Sequence, residues 1–373
     1  MKILSVHIST PGEGADWWRI SNIAKILKNN GHEVHFINYC SKSAFSKLEN
    51  RERYKDQSFV ISSPLTVHLN HLRKLQQDKY DLVYGNAHIG TFCSILGKIT
   101  NAPLFFDMHG GIVEEFLMEN RFKFDLGFIS KYLWKKTIDL ADLKFSDRIA
   151  CVSHKMEDYL KIRSVSHKKI GYVTNGVDLD FFKPLEPNRT KIVREKLGLE
   201  KRLVFGYVGN FHKWQGVENF IQAANEIKGD DCSFVIIGGD KRTKEGNLHF
   251  IPKVSRQYLP DYYSMCDILV LPRPSHVATE IAAPTKFAEY TSMTRPILTT
   301  KVGDAAQLVE QYNCGISVKD NSPEELIKGI NFFKEKSIEH LAKMGDNSRK
   351  LAEKEFSWKN VGINLQEMLS DFE

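Results

Sequence analysis

Twice along this chain, short apolar runs of strand character alternate with longer helical patterns, and a stretch that suits neither separates the two series. That repeated alternation constrains the fold more than any other feature. The first series contains "KILSVHI", "HEVHFINY", "DLVYGNA", "APLFFDMHG" and "RIACVSH"; the second contains "RLVFGYVGN", "SFVIIGGD", "LHFIPKV", "DILVLPR", "PILTTKV" and "GISVKD". Short apolar runs bounded by turn residues read as strands buried on both faces, with helices between them covering those faces. Each series therefore predicts an α/β domain, a Rossmann-like doubly wound parallel sheet. In such sheets ligands gather at the carboxyl ends of the strands, so the loops after the strands are where chemistry is sought.

Local signals agree with this pattern. The helical run "RISNIAKILKNN" stops at Gly31, and Ser322-Pro323-Glu324-Glu325 offers a serine cap, a proline at the first helical position and acids in the first turn. Between the series, in "VTNGVDLDFFKPLEPNRTK", Asn175-Gly176 is a turn signal, and Pro184, Pro187 and a charged run mark a connector. The 373 residues suit two domains. We expect them at 1–182 and 183–355, with a last helix over 356–373.

Composition excludes several classes. No apolar run approaches the roughly 20 residues needed to cross a bilayer. The opening "MKILSVHIST" lacks a small-residue cleavage site and has polar residues at alternate positions, so it reads as a buried first strand. Six scattered cysteines without a CxxC pair point to a reducing compartment, here the cytoplasm, and to no structural zinc. The formal charge of +6 is too small to indicate nucleic acid; it suits an anionic small molecule or an acidic membrane surface equally. One cluster, "RFKFDLGFISKYLWKK" at 121–136, interleaves Arg121, Lys123, Lys131, Lys135 and Lys136 with Phe122, Phe124, Phe128, Tyr132 and Trp134. It is either a helix with one core face and one solvated face, or a peripheral patch at the inner face of a membrane.

Seven phrases occur in a telling order: "NGVDLDFFKP", "FGYVGNFHKWQGVENFIQAA", "FVIIGGD", "IPKVSRQYLPDYYSMCDILVLP", "PTKFAEYTSMTRPILTT", "NCGISVKDNSPEELIKGI" and "FSW". With them the chain resembles, over nearly its whole length, the family 4 retaining glycosyltransferases of the GT-B fold. The resemblance implies two Rossmann-like domains facing an interdomain cleft. The second would grip a nucleoside-diphosphate sugar and the first would present a glycan or lipid-linked acceptor; the last helix would cross back onto the first domain. It implies transfer with retention, no metal, and no cofactor beyond the donor substrate.

Breaking a sugar–phosphate bond leaves growing negative charge on a nucleoside diphosphate, which helix N-termini and basic side chains can stabilise. Gly12 and Gly14, between the first strand and helix, read as a tight turn or as a close backbone approach to a phosphate or the acceptor. In "GNFHKWQG" the family commonly has an arginine and a lysine where this chain has Asn210 and Gln215; Lys213 lies nearby and is either a substitute or a solvated loop lysine. In the family's Glu-x7-Glu pattern the first carboxylate contacts the donor sugar near the reacting carbon; counted back from Glu289 it falls on Ile281, and either a one-residue shift in the loop restores Glu280 to that catalytic place or the sugar is handled differently. A variant pattern, Pro-x-Lys-x-x-Glu-Tyr, matches Pro284, Lys286, Glu289 and Tyr290. On that match Pro284 opens a helix, Thr285 and its neighbours offer free N–H groups, Lys286 reaches the phosphates, and Glu289 holds the ribose diol. The plainer alternative makes Lys286 and Glu289 an i,i+3 surface pair.

A lone histidine such as His109 reads first as a satisfied structural group, but the resemblance implies that it contacts the donor sugar and that the donor base lies against Lys253 and Val254; Asp107, two residues earlier, shares its strand face and is placed to orient it. Asn175 and Gly176 read as a structural turn. The leading function is a retaining glycosyltransferase. A non-catalytic nucleotide- or glycan-binding subunit and a nucleotide-sugar epimerase are the other two readings.

Overall fold

The computed structural model describes residues 1–8, 14–40, 42–46, 48, 57–61, 79–96, 102–120, 125–200, 202–227, 229, 231–240 and 242–373. The chain forms two compact units, Met1–Thr174 with Val361–Glu373, and Asn175–Asn360.

The first unit holds β1 (Lys2–His7), β2 (Glu33–Cys40), β3 (Gln57–Ile61), β4 (Leu82–Asn86), β5 (Leu104–Met108), β6 (Arg148–Cys151) and β7 (Ile170–Tyr172). They form one parallel sheet in the order β3-β2-β1-β4-β5-β6-β7. The second unit holds β8 (Leu203–Val208), β9 (Cys232–Gly239), β10 (Thr243–Glu245), β11 (Leu248–Pro252), β12 (Ile268–Leu271), β13 (Ile297–Thr300) and β14 (Gly315–Val318). Their order is β10-β11-β9-β8-β12-β13-β14. Each order reverses once, between β1 and β4 and between β8 and β12, which creates a crevice at the carboxyl ends of those strands.

Alternate residues explain why the second sheet is buried on both sides. Val204, Val208, Val235, Ile237, Leu269 and Leu271 enter one core, while Phe205, Tyr207, Phe234, Ile236, Ile268 and Val270 enter another. Successive side chains on a strand point to opposite faces, so both faces are packed under helices. The parallel expectation fails at one edge: β10 pairs antiparallel with β11, and all three of its residues are exposed.

Ser322 stands at the N-cap of helix Pro323–Lys334, but its side chain makes no cap bond. Instead its own N–H donates to Asp320 Oδ1 at 2.9 Å, and the Glu325 carboxylate accepts from the Lys319 N–H at 3.2 Å. The six cysteines are all free thiols buried in the core. Among the described residues no helix is long and apolar enough to cross a membrane.

Candidate functional site

In the second unit the site grows from the crevice between β8 and β12. β8 runs into Gly209, whose φ of +154° and missing side chain leave room for an ammonium: a Cβ there would lie 2.2 Å from Lys286 Nζ. The loop then closes through a short turn, Lys213–Gln215, and Gly216. Gly216 has φ +68° and passes so close to the Pro272 carbonyl that a Cβ would sit 2.0 Å from its oxygen. Glycine is needed at both positions, once for close approach and once also for backbone angle.

Helix Thr285–Ser292 brings up the other side. Pro284 is its N-cap, one place before the first helical residue, so Thr285 rather than the proline opens the helix. Asn175 Nδ2 donates to the Ala283 carbonyl at 2.6 Å and holds the approach to it. Tyr290 pins the helix to the end of β8, its hydroxyl accepting from the Val208 N–H at 2.9 Å and donating to the Val208 carbonyl at 3.2 Å.

Lys286 reaches from the first turn to the β8 loop. Its ammonium donates to Gln215 Oε1 at 2.8 Å and to the Tyr207 hydroxyl at 3.1 Å, and lies 4.5 Å from the centre of the Tyr207 ring. Burial, helped by the Arg273 guanidinium and opposed by Glu289, pulls the amine down to about 7. Arg273 follows β12, is buried, and donates from Nε to the Trp214 carbonyl at 3.4 Å. A half-buried cation next to another cation is costly without an anion, and a phosphate is the anion that fits helix first-turn N–H groups.

Glu289, one turn on, is buried and takes a different set of partners. Arg256 donates to its Oε1 at 2.8 Å and the Tyr263 hydroxyl to its Oε2 at 2.7 Å. Lys286 and Glu289 therefore do not form the surface pair that their spacing allows.

The remaining sequence-derived positions spread out. Asn210 is exposed; its carbonyl accepts from the Tyr207 hydroxyl at 2.6 Å and its Oδ1 accepts from the His212 N–H at 3.4 Å. Lys213 is exposed on the same turn as Gln215. Lys253 is exposed, with its N–H bonded to the Gly239 carbonyl at 3.0 Å, and Val254 packs against the core. Ile281 is buried, and Glu280 accepts from the Gly303 N–H at 2.7 Å and from the Ser275 hydroxyl at 3.3 Å. Glu280 thus supports the start of helix Gly303–Gln311 in this structure. Gly176 lies under the Trp358 ring, 2.4 Å from where a Cβ would be, which supports the structural reading of that turn.

In the first unit, His109 follows β5 and faces two carboxylates. Its Nε2 is 3.1 Å from Asp107 Oδ2 and its Nδ1 is 3.6 Å from Asp16 Oδ1, both at ion-pair distance. Burial lowers the imidazole, but the two carboxylates outweigh it and raise His109 to about 9. Asp107 is itself gripped by Arg19, Nε to Oδ2 at 3.0 Å and Nη2 to Oδ1 at 2.7 Å. The same guanidinium donates to the Val173 and Thr174 carbonyls at 2.8 and 2.7 Å. Although burial opposes it, the charges of Arg19 and His109 hold the Asp107 carboxyl well below the usual range. Gly14 starts helix Gly14–Asn29 at φ +79° with nothing close to its Cβ position, so the backbone angle is what needs glycine there. Gly12 lies outside the described residues, as do 121–124.

With this geometry in hand, comparison with known proteins decides the family. Residues 18–181 match the family model described as Glycosyltransferase Family 4, and residues 189–351 the one described as Glycosyl transferases group 1. The chain belongs to the family 4 glycosyltransferases. It is 26% identical over 257 residues to an uncharacterized glycosyltransferase of Methanocaldococcus jannaschii, a match that spans 65% of this chain and 62% of that relative's length. A second glycosyltransferase of the same organism is 23% identical over 100% of this chain and 98% of its own. The crystal structure of HepE from Anabaena in complex with UDP-glucose superimposes with a TM-score of 0.77 at 17% identity, covering 100% of both chains. The fold is GT-B.

Six residues carry no motif of their own in the sequence: Arg19 and Asp16 in the cluster of the first unit, and Tyr207, Arg256, Tyr263 and Arg273 in that of the second. Arg273 had a usable signal, a basic residue that follows the apolar run of β12 after Pro272. Arg19 had a weaker one, an arginine beside the apolar positions Ile20, Ile23 and Leu27. Tyr207 and Tyr263 read as core aromatics, which they also are.

Proposed function

We propose that this glycosyltransferase moves a sugar from a nucleoside-diphosphate sugar to a glycan or lipid-linked acceptor, retaining the anomeric configuration and without a metal. One observation carries the reading: the Lys286 ammonium lies between Gln215 and Tyr207, beside Arg273 and at the first turn of its helix. As the sugar leaves, charge grows on the diphosphate, and preorganised cations and N–H donors stabilise it in a water-poor site. Lys286 and Arg273 supply that charge from the chain itself, in place of the basic pair that Asn210 and Gln215 lack. Glu289, with one oxygen on a tyrosine hydroxyl and one on a guanidinium, is an acceptor suited to a ribose diol. His109, between two carboxylates, is a hydrogen-bond donor for a sugar hydroxyl rather than a base. The UDP-glucose in HepE supports a nucleotide sugar as donor.

The acceptor side extends to peripheral contact with an anionic lipid surface. Helix Leu126–Phe145 exposes Leu126 (85%), Ile129 (46%), Leu133 (57%) and Leu140 (53%), spaced along one side. Lys131 and Lys144 are exposed on the same helix, whereas Lys135 turns over the Phe116 ring and Lys136 toward Asp139. The helix thus turns aliphatic residues outward together with Trp134, Phe145 and two lysines, which suits an acidic interface.

The test is a transfer assay over a panel of nucleotide sugars and lipid or glycan acceptors. We expect release of nucleoside diphosphate with transfer, reduced at least about 100-fold in Lys286→Met. Donor binding with no turnover on any acceptor would overturn the enzymatic reading in favour of a binding subunit. Flotation with vesicles of neutral lipid and of neutral plus anionic lipid tests the surface. Binding that needs anionic lipid and is lost in Ile129→Asp/Leu133→Asp supports it; self-association through the same residues without lipid binding refutes it.

A further inference from the structure

Behind the His109 turn lies a buried histidine, His88. β4 ends at Asn86, and the chain enters helix Ala87–Leu96 through Ala87, a non-glycine residue with φ +53°. Such an angle is unfavourable for an alanine, so the surrounding structure is holding it. The result is to aim His88, only 4% exposed, at two oxygens: Nδ1 is 2.9 Å from Asp142 Oδ2, and Nε2 is 3.2 Å from the Gly110 carbonyl.

A carbonyl can only accept, so the contact with Gly110 needs a hydrogen on Nε2. An ionised Asp142 needs one on Nδ1 as well. A neutral imidazole carries a single N–H and cannot serve both. Two arrangements satisfy both contacts, an imidazolium facing a carboxylate, or an Nε2–H imidazole accepting from a protonated Asp142, and they hold the same number of protons. When that one shared proton leaves, the remaining N–H belongs to the carboxylate side, and the Nε2 lone pair faces the Gly110 oxygen.

We infer that His88 and Asp142 are positioning residues that form a one-proton clamp on Gly110, holding the turn that carries His109 at neutral and acid pH and releasing it as pH rises. The consequence for catalysis rests on the reading of His109 as a sugar-contacting residue; the clamp itself does not. The neighbourhood agrees. The Phe106 ring lies 5.0 Å from His88, Cys93 is on the same helix, and Asp139, one turn from Asp142, is paired with Arg163 and lies 4.0 Å from Lys136. Asp142 Oδ1 is buried without a hydrogen-bond partner, which a neutral carboxyl tolerates better than a carboxylate. Burial pushes Asp142 up to about 7, with His88 pulling the other way.

Nitrogen-15 spectra of the full chain labelled at histidine test this without any substrate, His88 being assigned by loss of its signals in His88→Gln. In the wild type the pair should hold its shared proton, with Nε2–H facing Gly110, below the value of about 7 to which Asp142 is raised, and be without it well above that value. In Asp142→Asn the amide donates to Nδ1, so Nε2 should stay protonated throughout. A wild-type Nε2 that keeps one state over the whole range would overturn the clamp, even if the variant does not fold. In transfer assays the ratio of kcat at about pH 6.5 to that at about pH 9.5 should be at least about fivefold smaller in Asp142→Asn than in the wild type. An unchanged ratio refutes the link to His109. A wild type with no transferase activity would count against the proposed function and leave the spectral result standing.

Discussion

Removing the charge option from Lys286 is the perturbation that tests the donor site most directly. Half-buried and beside Arg273, its amine is lowered to about 7 from the ordinary 10.5, a penalty on the charged form of roughly 5 kcal/mol. A bound diphosphate supplies the missing anion and raises the amine again, so donor binding must take up a proton whenever the free amine is neutral. With one coupled proton, the Kd for an intact nucleotide sugar, whose diphosphate does not titrate in this range, should weaken about 30-fold between about pH 6 and about pH 8.5. Calorimetry in two buffers of different ionisation enthalpy should report uptake of about 0.9 proton at about pH 8. Lys286→Met should bind weakly and flatten both dependences. Stability of the unliganded protein must slope the other way. Between the folded and unfolded values the unfolded chain binds more protons, so the contribution of this group rises as pH climbs from about 7 toward 10.5 and is lost below. A Kd changing less than about threefold over that range, or a heat independent of buffer, would refute the argument.

Gly209→Ala places a methyl 2.2 Å from Lys286 Nζ, so donor affinity should fall about tenfold or more in calorimetry. Glu289→Gln keeps the shape but loses the charge that Arg256 faces; we expect a stability loss of about 1–3 kcal/mol in denaturant titration and about tenfold weaker nucleoside-diphosphate binding. Asp107→Asn removes the carboxylate that faces the buried Arg19 guanidinium, which should cost about 3 kcal/mol or more at neutral pH by the same titration. It also removes the raised imidazole: the wild type should lose His109's contribution as pH rises through about 9, and the variant should not show that loss.

The sequence carried the fold where strands were apolar and central. It concealed β10, whose three residues are all exposed, and β7, three half-buried residues of "IGY", because neither shows the continuous apolar run of a buried strand. The edge strand β3 sits outside the regular alternation for a similar reason. In the site, helix Thr285–Ser292 was legible from its Pro-x-Lys-x-x-Glu-Tyr spacing. What Lys286 and Glu289 touch was not. Helical spacing puts two side chains on one face, but their partners come from β8, the β12 loop and the segment around Arg256, and only tertiary packing brings those together. His109 and Asp107 were readable as neighbours on one strand face; Arg19, which grips Asp107 from a helix 88 positions earlier, was not.

Six thiols sealed in the core have a practical consequence. Burial pushes Cys93, Cys232 and Cys314 up to about 11 and Cys266 to about 12, so almost none of their sulfur is the nucleophilic thiolate at neutral pH. Alkylating dyes and spin labels should therefore leave the folded native chain nearly untouched. A single cysteine introduced at exposed Lys213 would then be the preferred point of attachment, giving a reporter beside the donor loop without first stripping the natural sulfurs.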